Sequence, residues 1–249
     1  MKHQLTTAAD VRQLGTILFV GAHPDDETFC AGALLAAAVR NGQRVICVTA
    51  TRGEKGVQDE AKWPADQLGD IRQRELEAAL HLLGITEHLW LGYRDGECKT
   101  ASHEEAARRI TDVIERRLVD TVLTFGPDGL TGHPDHKAVS RWVDAAVHAS
   151  SRRPRVYHIA QLRSCYERYL RPADQKLHIF FGTKRPRVFD PDECAICLKP
   201  EAKSIAQKFR ALRAMPSQMT TLLQAIPPSD FVSALGTEAF VEPKAARRR

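Results

Sequence analysis

Residues 20–43 read VGAHPDDETFCAGALLAAAVRNGQ. An apolar run ends at Ala22, five polar or rigid residues follow, and an alanine-rich segment begins at once. Residues 16–22 (TILFVGA) have the pattern of a short buried strand, and 26–40 fit a helix stopped by Asn41-Gly42. Residues 44–50 (RVICVTA) read as a second strand. Strand–helix–strand in that order implies parallel pairing through a right-handed crossover. Ligands of such sheets sit beyond the carboxyl ends of the strands, where His23 and the acids after it fall. Pro24 also suits a first helical turn, and Asp25, Asp26 and Glu27 are favoured by the positive end of the helix dipole. On this stretch alone, a well-capped helix start competes evenly with half of a metal site.

The same rhythm continues outward. A loop rich in glycine and charge covers 51–66, and 67–83 form a helix with Leu76, Leu80 and Leu83 at helical spacing. A short strand spans 88–91, and a helix over 102–118 opens with a Ser102–Glu105 capping box. A strand follows at 121–125, then the loop GPDGLTGHPDH and a helix to about 149. Beyond Pro154 the pattern predicts strands at 155–161, 176–181 and 187–189 and a helix over 199–214. The expected architecture is an α/β, Rossmann-like, doubly wound and mostly parallel sheet. A single domain spans 1–249, with the catalytic body in 1–150 and a mixed β/α C-terminal part in 151–249.

Composition narrows the function. No run of 18 apolar residues occurs, and the first 14 residues lack the apolar stretch of a secretory signal. Six scattered cysteines read as reduced thiols of a cytoplasmic protein. Cys194-Ala-Ile-Cys197 is a lone pair that strand alternation explains better than metal binding. Residues 1–150 carry 17 Lys/Arg against 22 Asp/Glu, and 151–249 carry 19 against 9. The basic half, ending in Arg247-Arg248-Arg249, reads as a solvated surface, because no interleaved aromatics or known motif mark a nucleic-acid site.

A second stretch answers the first. TGHPDHKAVS, residues 131–140, also follows a strand and opens a helix, so His133, Asp135 and His136 reach the same sheet edge. Capping explains one His-Pro-Asp well and two poorly. His23 and Asp26, together with His136, make the two-histidine, one-carboxylate set of a catalytic zinc with a position left for water. Asp25, His133 and Asp135 remain to act on that water and on substrate.

With AHPDDE at 22–27 and GHPDH at 132–136, the chain resembles the LmbE-like/PIG-L group of zinc-dependent N-acetylglucosaminyl deacetylases. That group includes the deacetylases and amidases of mycothiol and bacillithiol metabolism. TRGEKG at 51–56, Arg72, Glu75-Leu76 and LGYRDG at 91–96 support the likeness, which covers 16–150 well. The resemblance implies one zinc, or another divalent ion, per chain on His23, Asp26 and His136, with Asp25 as general base. His133 would stabilise the tetrahedral intermediate and Asp135 would orient His133. Glu54, Arg72 and Asp95 fall where relatives contact the substrate, although each also reads as a loop acid, a salt-bridge partner or a turn residue. Two positions depart from the family: Thr131 stands where some members carry an oxyanion-binding tyrosine. Met215 stands where many carry the histidine of Ala-His-x-Ser-Gln.

The implied activity is removal of an acyl group, most simply acetyl, from a small N-acylated amino sugar or glycoside. Amide cleavage of a thiol–sugar conjugate uses the same chemistry. A metal-free nucleotide- or sugar-binding Rossmann module is the competing class, but it wants Gly-x-Gly-x-x-Gly after the first strand. Neither a membrane span nor a nucleic-acid partner is expected, and a homo-oligomer stays open.

Overall fold

The computed structural model describes residues 4–183 and 186–243; the Arg247–249 tail lies outside them. Five parallel strands build the body: β1 (Ile17–Gly21), β2 (Val45–Thr51), β3 (Glu87–Tyr93), β4 (Thr121–Thr124) and β5 (Arg155–Leu162). Their spatial order is β3-β2-β1-β4-β5, continued by β8 (Glu238–Val241) and β7 (Ile196–Leu198). β8 runs antiparallel to both neighbours, and β6 (Val188–Phe189) adds a short parallel pairing to β5. The sheet is thus α/β and mostly parallel, as the alternation of elements predicts. Strand order reverses between β1 and β4, and a doubly wound sheet opens its ligand crevice at that point.

The helices α1 (Asp26–Arg40), α2 (Leu68–Leu83), α3 (His103–Arg117) and α4 (Pro134–Ala149) match the predicted spans closely. Ser102 caps α3 by accepting from the Glu105 N–H. Alanine on every face of α1 suits its surroundings, because 12 of its 15 residues are buried. One side packs on the sheet and another on α7 (Ala202–Arg213). Gly32 lets the two helices close: a Cβ there would sit 3.2 Å from Lys208 Cγ.

The C-terminal part departs from the sequence reading at 176–181. That segment is not a strand. It ends a helical stretch made of α5 (Arg163–Cys165), a π-turn (Tyr166–Leu170) and α6 (Arg171–Leu177). Pro172 favours the first turn of α6, and His178 stops the helix in the left-handed region. Asp174 pins the turn after α6 by accepting from the Phe180 N–H and the Tyr166 hydroxyl. Alternating apolar residues after a proline read as a strand, whereas here the local turn chemistry prevails. Two helices, α8 (Pro216–Ala225) and α9 (Phe231–Leu235), and strand β8 had no clear sequence signal, whereas β7 falls on the strand alternation read at Cys194–Cys197. All six cysteines are free and buried, with Cys197 inside β7. No helix among the described residues is long and apolar enough to cross a membrane.

Candidate metal centre

The loops after β1 and β4 flank the reversal in strand order, and each delivers one HPD segment to it. Asp26, the first residue of α1, folds its carboxylate back on its own loop. Its Oδ2 accepts from the Ala22 and His23 N–H groups at 2.8 Å each. Oδ1 is left 3.5 Å from His136 Nε2. On the other loop, His136 Nδ1 faces the Gly129 carbonyl at 3.0 Å and must donate to it, which leaves Nε2 unprotonated. The His136 ring lies flat on Phe125, with centroids 3.9 Å apart.

His23 presents the mirror case. Its Nε2 lies 3.1 Å from Asp95 Oδ1 and 3.5 Å from Asp135 Oδ2, without a well-directed hydrogen bond to either. Two anions on that side hold the ring proton there and turn the Nδ1 lone pair inward. Nδ1 is then 3.2 Å from His136 Nε2 and 3.9 Å from Asp26 Oδ2. Two ring lone pairs facing each other beside a carboxylate repel unless a proton or a metal cation lies among them, and the donor set fits a divalent metal. Burial works against charge on His23, but Asp135 and Asp95, then Asp26, outweigh it and push its pKa up to about 10. The field that favours a proton there favours a metal cation too. Burial holds His136 down to about 4, neutral as a ligand must be.

The nitrogens of His23, His133 and His136 lie within 4.8 Å of one another, as do ligand atoms of His23, Asp95 and Asp135. Both groups centre on His23; Asp26 is in neither, although its Oδ1 faces His136 Nε2.

Asp25 sits at φ +121°, an uncommon backbone state for a non-glycine residue and one that marks strained functional positions. Its carboxylate meets Arg72 Nη2 at 2.9 Å. Burial pushes the Asp25 carboxyl up to about 7, against the pull of Arg72. Arg72 itself is 4% exposed and also donates to the Pro24 and Gly53 carbonyls at 2.7 Å. These bonds make Arg72 a brace behind the Asp25 carboxylate, while the residue also lines the cavity and keeps its Nε without a partner.

Two further expectations change. Asp135 does not place its carboxylate on His133. That group accepts from the Gly96 and Cys98 N–H groups and faces His23. His133 Nδ1 instead accepts from the Asp135 backbone N–H at 3.1 Å, which puts the ring proton on Nε2. Burial, then His23, lowers the His133 pKa, which favours the neutral ring. Asp95 lines the cavity, but one oxygen faces His23 and the other accepts from Lys55 N–H. Glu54 binds the Asp95 N–H at 3.0 Å and supports that loop from behind.

The cavity over these groups encloses about 810 Å³ and includes Thr131, Lys55, Gln58 and Gln218. A larger one, about 960 Å³, lies by Arg155, Tyr157 and His158, away from the clustered histidines. Sequence reasoning missed Gln218, although the Ser-Gln of the family's Ala-His-x-Ser-Gln motif falls at 217–218. Glu75 accepts from the Ser217 N–H and hydroxyl, and Gln218 donates to the Gly56 carbonyl. Met215 is buried in the core, so that position offers nothing to the cavity.

Known proteins resemble the chain in sequence and in fold. The family described as PIG-L, GlcNAc-PI de-N-acetylase, matches residues 18–147. A 1D-myo-inositol 2-acetamido-2-deoxy-alpha-D-glucopyranoside deacetylase of Actinosynnema mirum is 32% identical, covering 82% of this chain and 81% of that protein. Among solved structures, the zinc-inhibited form of teicoplanin deacetylase Orf2 superposes with a TM-score of 0.66 at 18% identity, over 93% of this chain and all of that one. N,N'-diacetylchitobiose deacetylase from Pyrococcus horikoshii gives 0.58 at 20% identity, over 92% and 84%. With its matching segment spanning both HPD loops, the chain belongs to the PIG-L family of GlcNAc-PI de-N-acetylases.

Proposed function

We propose that this protein is a zinc-dependent hydrolase that removes an acetyl group from an N-acetylated amino sugar or glycoside. The observation that carries the reading is the pair of inward-facing nitrogens, His23 Nδ1 and His136 Nε2, 3.2 Å apart beside Asp26. His23, Asp26 and His136 would hold one metal ion. When bound, zinc supplies an acidified water and polarises the amide carbonyl. Asp25 accepts the proton of that water as its oxygen attacks the amide carbon. Burial raises its carboxyl toward neutrality, which helps it take a proton and return it to the leaving amine. Arg72 keeps the carboxylate aimed. His133 turns its Nε2–H to the oxyanion as a neutral donor. Asp95 and Asp135 hold His23 in the tautomer that directs Nδ1 inward, and Glu54 steadies the Asp95 loop. The products are a free amine and acetate.

Relatives named as deacetylases of GlcNAc-containing glycosides support the substrate class. The test is amine release from methyl 2-acetamido-2-deoxy-D-glucopyranoside by the purified protein, before and after chelation and with zinc restored. Release should vanish with the chelator and return with zinc. Release indifferent to both treatments would overturn the reading.

A further inference from the structure

Polar and apolar side chains share the lining of the cavity, with Lys55, Gln58 and Gln218 among the polar ones and Ile179, Phe181 and Leu222 among the apolar. Phe181 is the telling residue, because it is 62% exposed and burial does not explain its place. Its ring stands edge-on to His133, centroids 5.4 Å apart.

The backbone around it is pinned. Gly182 N–H donates to the Thr131 carbonyl at 3.1 Å, and Gly132 and Gly182 touch so closely that a Cβ on either would overlap the other's backbone. On the other side, Phe180 is buried against Tyr166 and its N–H is held by Asp174. The chain thus presents an aromatic face to the cavity from a rigid mount tied to the loop that carries His133. A pre-positioned aromatic binds apolar surface at little entropic cost.

Resting on the deacetylase reading, we propose that the substrate is an N-acyl amino sugar glycoside with an apolar, aryl or alkyl, aglycone that packs on Phe181 and its neighbours. A cavity of about 810 Å³ is of the size that takes more than one sugar ring. An amide seated at the histidines lies beside Phe181, so a group carried by the sugar comes within reach of that ring. Sugar hydroxyls find partners at Lys55, Gln58 and Gln218. A polyol laid on the exposed Phe181 ring would lose hydration there without compensation. The inositol named in the relatives' substrate is therefore the poorer match to that ring. The reaction is unchanged: water adds to the amide, acetate departs, and the aglycone stays on the sugar.

The experiment compares kcat/KM for the phenyl and methyl glycosides of N-acetylglucosamine. The wild type should favour the phenyl glycoside at least about tenfold through KM, the scale of a few buried methylenes. Phe181→Ser should cut that preference about tenfold, whereas Phe181→Trp should keep it. Equal use of both glycosides, or a preference that survives Phe181→Ser, overturns the aglycone assignment alone. A loss in Phe181→Ser confined to kcat also overturns it and makes Phe181 a positioning residue for His133. No amine from either glycoside with zinc present overturns the deacetylase reading and the assignment together.

Discussion

At the scale of single residues, the centre is a set of proton positions fixed by neighbours. Asp25→Asn keeps the size of the side chain but cannot accept a proton, so kcat should fall at least about 10²-fold with metal content unchanged. Retained turnover would reduce Asp25 to a helix-start residue. Arg72 separates two roles by kinetics. A brace behind Asp25 affects the chemical step, so Arg72→Gln should lower kcat with KM nearly constant; a substrate contact would raise KM instead. Asp135 is the residue whose role was least legible in the sequence. Spacing brought it to the right loop, but its carboxylate reaches across to His23 and the Gly96 amide, contacts set by long-range packing. Asp135→Asn should therefore weaken metal binding about 10–100-fold, the usual cost of losing a partner behind a ligand. Metal titration of the variant decides it: wild-type affinity would return Asp135 to a role on His133.

At the scale of elements, the body was legible because its signals are local. Strands at 16–22 and 121–125 and the helix starts at Asp26 and Pro134 follow from apolar runs and first-turn chemistry, and these elements place His23, Asp26 and His136. The turn that carries Phe181 was not legible. Residues 176–181 carry a strand-like pattern, but Asp174 and the Gly132–Gly182 contact fold them into a turn on the neighbouring loop. No single-residue signal announces a contact between glycines fifty positions apart. That contact has a measurable consequence. A methyl at Gly182 must push the 177–182 segment off the His133 loop, so Gly182→Ala should cost about 1–3 kcal/mol through overpacking. For a chain of this length that is roughly 2–12 °C in Tm. An unchanged Tm together with unchanged kinetics would show that the two loops are not clamped.

At the scale of the whole molecule, the question is whether the basic C-terminal part is an appendage or half of the core. Its strands β8 and β7 extend the sheet of the body, and α7 covers α1, the helix that begins at Asp26. The joint is a buried ion pair. Lys208 on α7 meets Glu238 on β8 at 2.8 Å, each about 1% exposed at the side chain. Glu238 also accepts from the Ala33 and Leu34 N–H groups of α1, and Lys208 donates to the Leu235 carbonyl. Glu238 thus faces three donors drawn from α1 and α7. In Glu238→Gln the amide NH₂ must turn toward at least one of them, leaving a buried cation or a backbone N–H without an acceptor. Breaking such a pair from one side costs about 3–5 kcal/mol, or roughly 6–20 °C in Tm for a chain of this size. Because α1, α7 and β8 share the groups being disturbed, thermal unfolding should remain one transition, shifted down as a whole and tracked equally by far-ultraviolet circular dichroism and by loss of bound metal. Two separated transitions, with metal retained through the first, would show the C-terminal part unfolding alone and the body standing without it.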